Sequence, residues 1–433
     1  IGSGLVGSEM CIRDSVYIDI EKQYGETIFT GYTDNKSESK VIAMVSDAKV
    51  VENAEEGETV DIILDKTPFY AESGGQVGDT GFIQGKNFKA EVLNTFKVDK
   101  LWAHRVKILE GSVKTGDNVT AEIDTERRKQ VTAHHTSAHI LQAALIKVLG
   151  NEVKQAGSQV EPDRTRFDFS FNRAMTKSEI EQVEEIMNEW ISQGIERETK
   201  VMDIEEAQKT GAMALFGEKY GDKVRVVCVG DVSKELCGGT HVDNTSEIRL
   251  AKIVSESAIS AGSRRIEIVC SDAAFTYLNE KAEELDKLAH KFKAKPSEVE
   301  ERVEKLVEEN KALNKKIAEL QEVAAKAKYA TFLSKAEDVQ GGKFFISKIE
   351  DFEPAMVKSA VEMLSEKLKD SIVILVSVKK DGLFVMVKVA DNFVQKGINA
   401  GKIVGQITSA CGGKGGGRPN FAQGAAKDCD KVD

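Results

Sequence analysis

Proline is scarce in this sequence, with five in 433 residues, and aromatic residues make up only 6% of it. No apolar run approaches the roughly 20 residues that a membrane-spanning helix needs. The densest run, Ile372 to Val378, is the length of a strand, so a membrane role is not expected. The six cysteines (Cys11, Cys228, Cys237, Cys270, Cys411 and Cys429) include no CxxC pair. Only Cys237 and Cys411 sit in glycine-rich turns, and the scatter suits a reducing cytoplasm. Positive charge is also short: 60 Lys and Arg stand against 71 Asp and Glu, for a net charge of −11. That balance argues against a general nucleic-acid binder, and contact with nucleic acid would have to come from local basic patches.

The opening segment, IGSGLVGSEMCIRDS, has no initiating Met, no basic start and no long apolar middle. It does not read as a targeting peptide. Residues 1–15 read as a leader foreign to the native chain, and residues 16–40 as a linker.

What is present is enough apolar and charged sequence for two to four domains, 41% hydrophobic and 30% charged. Between residues 41 and 125, short runs such as ETVDIILD, GFIQ, FKAEVLN and LWAHRVKIL are separated by Gly, Asn and Asp, which predicts a small β-barrel. Inside it lies PFYAESGGQVGDTG. No helix carrying Lys-Ser or Lys-Thr follows this loop, so a P-loop is excluded and its glycines read as tight barrel turns. His104 reads as a structural histidine on a strand.

The chemically informative region begins with TERRKQVTAHHTSAHILQAALIKVLG, whose apolar residues recur at three and four and whose end is marked by Gly150. Helical spacing puts His135 and His139 on one face, within reach of one metal ion, while His134 falls about 100° away. Thr136 stands where a zincin protease would carry its general-base Glu, so that class is excluded. About a hundred residues later a β-rich run ends in Cys237-Gly238-Gly239-Thr240-His241, where the glycines allow a turn to aim a thiolate and an imidazole at one point. One Cys and three His make a tetrahedral zinc set, and three of the chain's six histidines belong to it.

AESGGQVGDTG, the HxxxH helix, QAGSQVEPDRTRFDF and ELCGGTHV, followed by GGGRPNFAQGAA, occur in the order found in alanyl-tRNA synthetases. From about residue 16 to its end the chain resembles the C-terminal portion of the bacterial type. The resemblance implies a multidomain α+β protein: the β-barrel, a zinc-containing α/β editing domain over residues 126–271, a helical, coiled-coil segment over 272–338, and a small α/β domain over 340–433 that binds tRNA. It implies hydrolysis of tRNA(Ala) mischarged with serine or glycine, with the ATP- and Mg-dependent charging domain expected to lie outside this chain. A charging site that accepts alanine cannot strongly reject glycine by size or serine by one hydroxyl, so a second, hydrolytic site is the physical remedy.

Thr136, Gln155 and Thr240 are candidates for the polar groups of that pocket. Arg166 and Asp168, in RFDF, read as an ion pair with each other, with Arg166 also a candidate contact to tRNA. Four protein ligands would close the zinc site. Either Cys237 is loosely held and the metal activates water, or the metal positions the tRNA terminus. Ala138 departs from the threonine often found in the family, Asn420 from its Asp, and Ala425 and Ala426 from its glycines.

After Ser271 the composition turns to Glu, Lys, Leu and Ala, and Pro296 divides a shorter helix from a long one. Val303, Leu306, Asn310, Leu313, Ile317, Leu320 and Ala324 follow a coiled-coil seam, with the partner either the preceding helix or a second copy in a homodimer. In the last segment KFFISKI, SIVILVSVK and GLFVMVKVA read as strands and EPAMVKSAVEMLSEKL as a helix. From Val394 to Asp433 there are six Lys and Arg and three Asp, a local +3. The backbone amides of Gly415, Gly416 and Gly417, beside Lys414 and Arg418, would either hold RNA phosphate or belong to a flexible tail. Two further readings stand beside the editing portion: a free-standing trans-editing deacylase, and a non-catalytic tRNA-binding and dimerisation module with structural zinc.

Overall fold

The computed structural model describes residues 5–214, 221–350, 352–380 and 382–427. Cys429, and the terminal charges Asp428, Asp430, Lys431 and Asp433, lie outside the described residues. The chain divides into two compact units, residues 1–285 and 286–433. No helix among the described residues is long and apolar enough to cross a membrane.

The first unit begins with helix α1 (Leu5–Tyr24) and a six-stranded barrel. Around the barrel the strands run Lys36–Ser46, Thr59–Leu64, Leu101–Lys114, Phe88–Val98, Gly81–Gln84 and Asn118–Ile123, and the last pairs with the first to close it. Strand Thr59–Leu64 is buried at five consecutive positions because both of its faces are covered. Ile62 and Leu64 point into the barrel with Val41, Ile83, Val92 and Val106. Ile63 points outward, against Tyr17 and Ile20 of α1.

The stretch expected to be a linker is therefore built in. Residues 16–24 complete α1, and the first barrel strand starts at Lys36 rather than at Val41. Tyr17 and Ile20, three apart, form one apolar face, and the Tyr17 hydroxyl donates to Asp61 at 2.6 Å while Arg105 grips the same carboxylate.

His104 is wholly buried and structural. Its Nδ1–H donates to the Ile62 carbonyl at 2.9 Å, which leaves Nε2 to accept from the Thr67 hydroxyl at 2.7 Å. Burial holds the imidazole neutral, with its pKa pushed down to about 4 against the opposing pull of the Ile62 carbonyl and Asp61. A histidine whose pKa is depressed by folding contributes stability above its unfolded value of 6.5 and loses it as the pH falls towards 4. Unfolding followed across that window is expected to show a loss of about 3 kcal/mol from this group. A His104→Asn variant is expected to show a shallower acid dependence, and equal slopes would remove His104 as the cause.

Helix α2 (Thr125–Leu149) follows, capped by Asp124, whose side chain accepts from the Arg127 amide. Buried Arg128 ties its first turn to the barrel through an ion pair with Asp79 and donation to the Gly31 and Pro68 carbonyls at 2.7 and 3.0 Å. The helix is not the one-sided amphipath that its spacing suggests: residues 133–142 are buried without interruption.

One side of α2 packs Ile140, Leu141, Ala144 and Leu145 on an antiparallel sheet of order Gln155–Val160, Thr165–Ser170, Ser263–Cys270, Ala251–Ser260. Helix α3 (Lys177–Ser192), opened by a Thr176–Glu179 capping box, adds Val183, Met187 and Ile191 to the same core. A second, three-stranded antiparallel sheet (Arg197–Asp203, Lys223–Val229, Ser233–Leu236) carries the short helix α4 (Ile204–Lys209) and ends at the cysteine turn. The expected α/β domain is thus α+β, with antiparallel pairing throughout both sheets. Helix α5 (Ser271–Phe292) crosses the division between units.

The second unit holds helix α6 (Val299–Phe332), entered through a 3₁₀ turn at Pro296–Glu298, where proline's missing N–H costs nothing. Along it Val303, Leu306, Leu313, Ile317 and Leu320 are 43–60% exposed, so the seam is not covered by described residues of its own chain. A six-stranded sheet follows, of order Glu337–Val339, Gly342–Glu350, Ser371–Lys379, Gly382–Val389, Phe421–Ala426, Lys414–Arg418, with one parallel pair. Helix α7 (Pro354–Leu368) covers one face, against Val373 and Leu375. The short helix α8 (Asp391–Gln395) and helix α9 (Ala400–Ala410) cover the other, against Ile374, Val376 and Val385.

Candidate metal centre

Two segments far apart in sequence meet on the buried face of α2. His135 and His139 leave one side of the helix, and the turn after strand Ser233–Leu236 brings Cys237 and His241 opposite them. One ligand atom from each of the four lies within 4.8 Å of the others, and all four residues are buried. Cys237 Sγ is 3.5 Å from His135 Nε2 and 3.2 Å from His241 Nε2. Tetrahedral zinc with one sulfur and three nitrogen ligands separates its ligand atoms by about 3.3–3.6 Å, so donor types and spacing fit that ion. Burial raises the Cys237 thiol, but the adjoining His135 and His241 outweigh it and hold the group well below its usual range, as a thiolate. Burial would depress His139, yet the Glu235 and Cys237 charges bring it up to about 9.

Around the four lies a set of groups that fix their orientation. Gln76, from the glycine-rich barrel loop, accepts from His135 Nδ1 at 2.7 Å and from the Thr240 amide at 2.9 Å, and its own amide donates to the Thr240 hydroxyl at 2.9 Å. With Nδ1 so engaged, His135 turns Nε2 towards Cys237. Thr136 donates to the Thr132 carbonyl at 3.0 Å, which leaves its oxygen to accept from His241 Nδ1 at 3.2 Å and from the Val242 amide at 3.1 Å. Buried Glu235, held by Ser233 at 2.7 Å, brings a carboxylate oxygen to 3.4 Å from His139 Nδ1, an ionic approach without an aligned hydrogen bond. Arg225 donates to the carbonyls of Cys237 and Gly239 at 3.1 and 2.8 Å, and the Tyr32 hydroxyl to that of Gly238 at 2.6 Å, so the turn is pinned on both sides.

The other candidates fall in different places. The hydroxyls of Thr136 and Thr240 face internal partners, which makes them positioning groups for the turn and for His241 rather than free pocket donors. Gln155 opens strand Gln155–Val160, opposite Phe169, and takes part in none of the hydrogen bonds around the cluster. His134, off the ligand face, donates from Nδ1 to the Gln130 carbonyl and accepts the Cys270 amide at 3.1 Å, a structural role.

Asp168 does not pair with Arg166. Its partner is Arg265 on the neighbouring strand, at 2.7 and 2.8 Å, because the antiparallel register sets these two opposite each other. Arg166 keeps a buried Nε without a hydrogen-bond partner.

In the second unit, Lys414, Gly415, Gly416, Gly417 and Arg418 form an exposed edge strand paired with Phe421–Ala426, neither a tail nor an anion-cradling turn. Close packing asks for two of its glycines: a Cβ at Gly415 would lie 2.5 Å from Val404 Cγ1 of α9, and one at Gly417 2.5 Å from the Phe421 carbonyl. Only alternate amides of an edge strand face outward.

Comparison with known proteins sets this geometry in context. A family model described as "Threonyl and Alanyl tRNA synthetase second additional domain" matches residues 224–267, which include Cys237 and His241. Models described as "tRNA synthetases class II (A)" and "DHHA1 domain" match residues 8–127 and 341–433. The alanine-tRNA ligases of Microcystis aeruginosa and Crocosphaera subtropica are 42% and 44% identical to the chain over 408 residues, 94% of its length. That of Acetivibrio thermocellus is 41% identical over 421 residues, 97% of the chain. The chain belongs to the alanyl-tRNA synthetase family.

It spans about half the length of these relatives, 47%, 46% and 48% respectively. A solved structure, the C-Ala domain from Aquifex aeolicus alanyl-tRNA synthetase, is 28% identical and covers 22% of this chain and 86% of its own, with a TM-score of 0.21. In this member of the family, reasoning from sequence missed Gln76, Glu235, Arg225 and Tyr32. Gln76 was visible inside the glycine-rich motif, but nothing in its spacing pointed to a helix 59 residues away.

Proposed function

We propose that this chain is the editing and tRNA-binding portion of an alanyl-tRNA synthetase, hydrolysing the ester of tRNA(Ala) mischarged with serine or glycine at the centre made by His135, His139, Cys237 and His241. The observation that carries this reading is the buried set of one thiolate and three imidazoles, oriented by Gln76, Thr136 and Glu235, in a chain of this family. When bound there, zinc supplies Lewis acidity towards an ester carbonyl or water.

The chain's own residues supply the rest. Gln76 and Thr136 each take the Nδ1 of a ligand histidine and so present Nε2 to the metal. Burial keeps competing water from the ligands, and Arg225 and Tyr32 hold the Cys237 turn against the barrel. Gln155 is the remaining candidate for the serine hydroxyl, since a group built to bond that hydroxyl is left unpaired by alanine and so spares the correct product.

In the same reading the domains are the barrel, from Lys36 to Ile123, the editing domain at 126–271, the helical segment at 272–338 and the tRNA-binding domain at 340–433. Lys414 and Arg418 flank the exposed edge strand of that last domain and would meet phosphate. The exposed seam of α6, with β-branched Val303 and Ile317 alternating with Leu306, Leu313 and Leu320, fits a homodimer. The expected compartment is the cytoplasm.

The test is hydrolysis of Ser-tRNA(Ala), Gly-tRNA(Ala) and Ala-tRNA(Ala) by the purified chain, with zinc assayed on the same sample. Loss of the serine and glycine esters with the alanine ester spared is the expected result. Stoichiometric zinc with no hydrolysis would leave the second reading, a tRNA-binding module in which the closed four-ligand set is structural.

A further inference from the structure

In the second unit a trough of about 690 Å³ opens where the six-stranded sheet runs past the first turn of α7. Helix α7 packs on Val373, Leu375 and Met386, and the corner of the sheet beyond its first turn is left open. The antiparallel register sets Phe384 opposite Ala425 and Ala425 opposite Lys414, so these three side chains leave the sheet on one face. Phe384 packs partly against the core beneath α7, which makes it the α7 face. Lys427 lines the same trough from the end of the Ala425 strand.

The lining between the charges is hydrocarbon: the Phe384 and Pro354 rings and the Ala425 methyl, with the glycine backbone of Gly382, Gly412 and Gly413. None of the described residues that line it carries a hydroxyl, carboxamide or imidazole. A sugar or a base edge would find no neutral side-chain partner there, whereas a hydrocarbon body needs none. The rim is charged. The one carboxylate among the described lining residues, Glu353, is held by Lys379, so it does not neutralise the other two lysines. Lys414 and Lys427 are exposed and have no ion pair among the described residues.

We propose that this trough binds a small amphiphilic carboxylate, a fatty acid of medium length whose chain lies on Phe384 and Ala425 and whose carboxylate meets Lys414 and Lys427. The volume falls within the roughly 300–1,000 Å³ of small-ligand clefts. Affinity comes mainly from the hydrocarbon, because exposed charge pairs contribute little in water, and the lysines set the direction in which the chain lies. The inference stands apart from the editing reading, since every residue it uses lies in the second unit and none belongs to the metal centre.

The test is isothermal titration calorimetry of the whole chain with hexanoate, octanoate and decanoate, below the concentrations at which they form micelles, and with AMP as a nucleotide probe. One carboxylate per chain is expected to bind, with affinity rising roughly threefold to fourfold for each CH₂ added, the worth of a buried methylene. Ala425→Glu, which places an anion on the apolar floor, is expected to weaken decanoate binding by roughly 10-fold or more. Lys427→Glu, which turns attraction into repulsion, is expected to weaken it by about 5- to 10-fold at low salt. Lys414 is shared with the face proposed for tRNA and is left in place. Ala425 and Lys427 are exposed, so both variants are expected to melt like the unaltered chain, which thermal unfolding checks.

Decanoate that does not saturate, affinity indifferent to chain length, or variants that bind as tightly as the unaltered chain would each overturn the proposal. Binding of AMP that the two variants weaken, without saturable binding of decanoate, would assign the trough to a nucleotide and overturn it as well.

Discussion

Replacing Cys237 with alanine is expected to strip the chain of stoichiometric zinc and, with it, of activity on Ser-tRNA(Ala). The thiolate is the only anionic donor among the four, and its sulfur lies within 3.5 Å of two ligand imidazoles. A bound structural zinc contributes about 10–16 kcal/mol in the simplest zinc modules, so the loss of one ligand of four, an equal share of about 2.5–4 kcal/mol, lowers affinity by roughly two to three orders of magnitude. The measurement is metal content by mass spectrometry together with a chelator competition, run beside the deacylation assay. The variant leaves three imidazoles packed with ring centres 4.4–5.3 Å apart and no thiolate between them to hold the set together. If the variant keeps a full equivalent of zinc at unchanged affinity, Cys237 is not a ligand. If it loses zinc yet hydrolyses the serine ester normally, the metal is not part of the reaction.

The second large effect separates two adjacent glycines. A Cβ added at Gly239 would lie 2.0 Å from His135 Cε1 and 2.8 Å from Gln76 Oε1, whereas one added at Gly238 meets nothing within 4 Å. Gly239→Ala must therefore push the His135 ring out of place and crowd the Gln76 amide that holds it. The expected cost is at the upper end of the roughly 1–3 kcal/mol of overpacked sites, with weakened zinc binding. Gly238→Ala is expected to stay within about 0.5 kcal/mol of the unaltered protein and to bind zinc normally. Thermal unfolding and metal titration of the two variants decide the matter, and matching behaviour would mean that the turn is not packed on His135 as described. Neither glycine has a backbone angle that excludes other residues. The difference lies wholly in what surrounds them, and no local reading of Cys-Gly-Gly-Thr-His could have told one from the other.

That contrast shows how far the chain could be read without coordinates. Strands such as GFIQ and SIVILVSVK were legible because apolar runs bounded by Gly and Asp set their own limits, and α2 because its cap, spacing and terminal glycine are all local. The stretch taken for a linker was not legible: Tyr17 and Ile20 are apolar at helical spacing, but only the outer face of the barrel makes a place for them. The Asp168 partner was missed for a related reason. Sequence proximity favours Arg166, while the register of two antiparallel strands supplies Arg265.

The sequence by itself determined which atoms are available for a metal centre, because ligand chemistry depends on residue type and helical spacing is a local property. His135 and His139 share a face wherever that helix goes, and a cysteine and histidine around two glycines can meet in any turn. Only the tertiary structure decided that the pairs face each other within 4.8 Å and that Gln76 of the barrel loop and Glu235 orient them. Such contacts join residues tens to hundreds of positions apart, and their strength comes from burial and approach, which no single segment of the chain encodes.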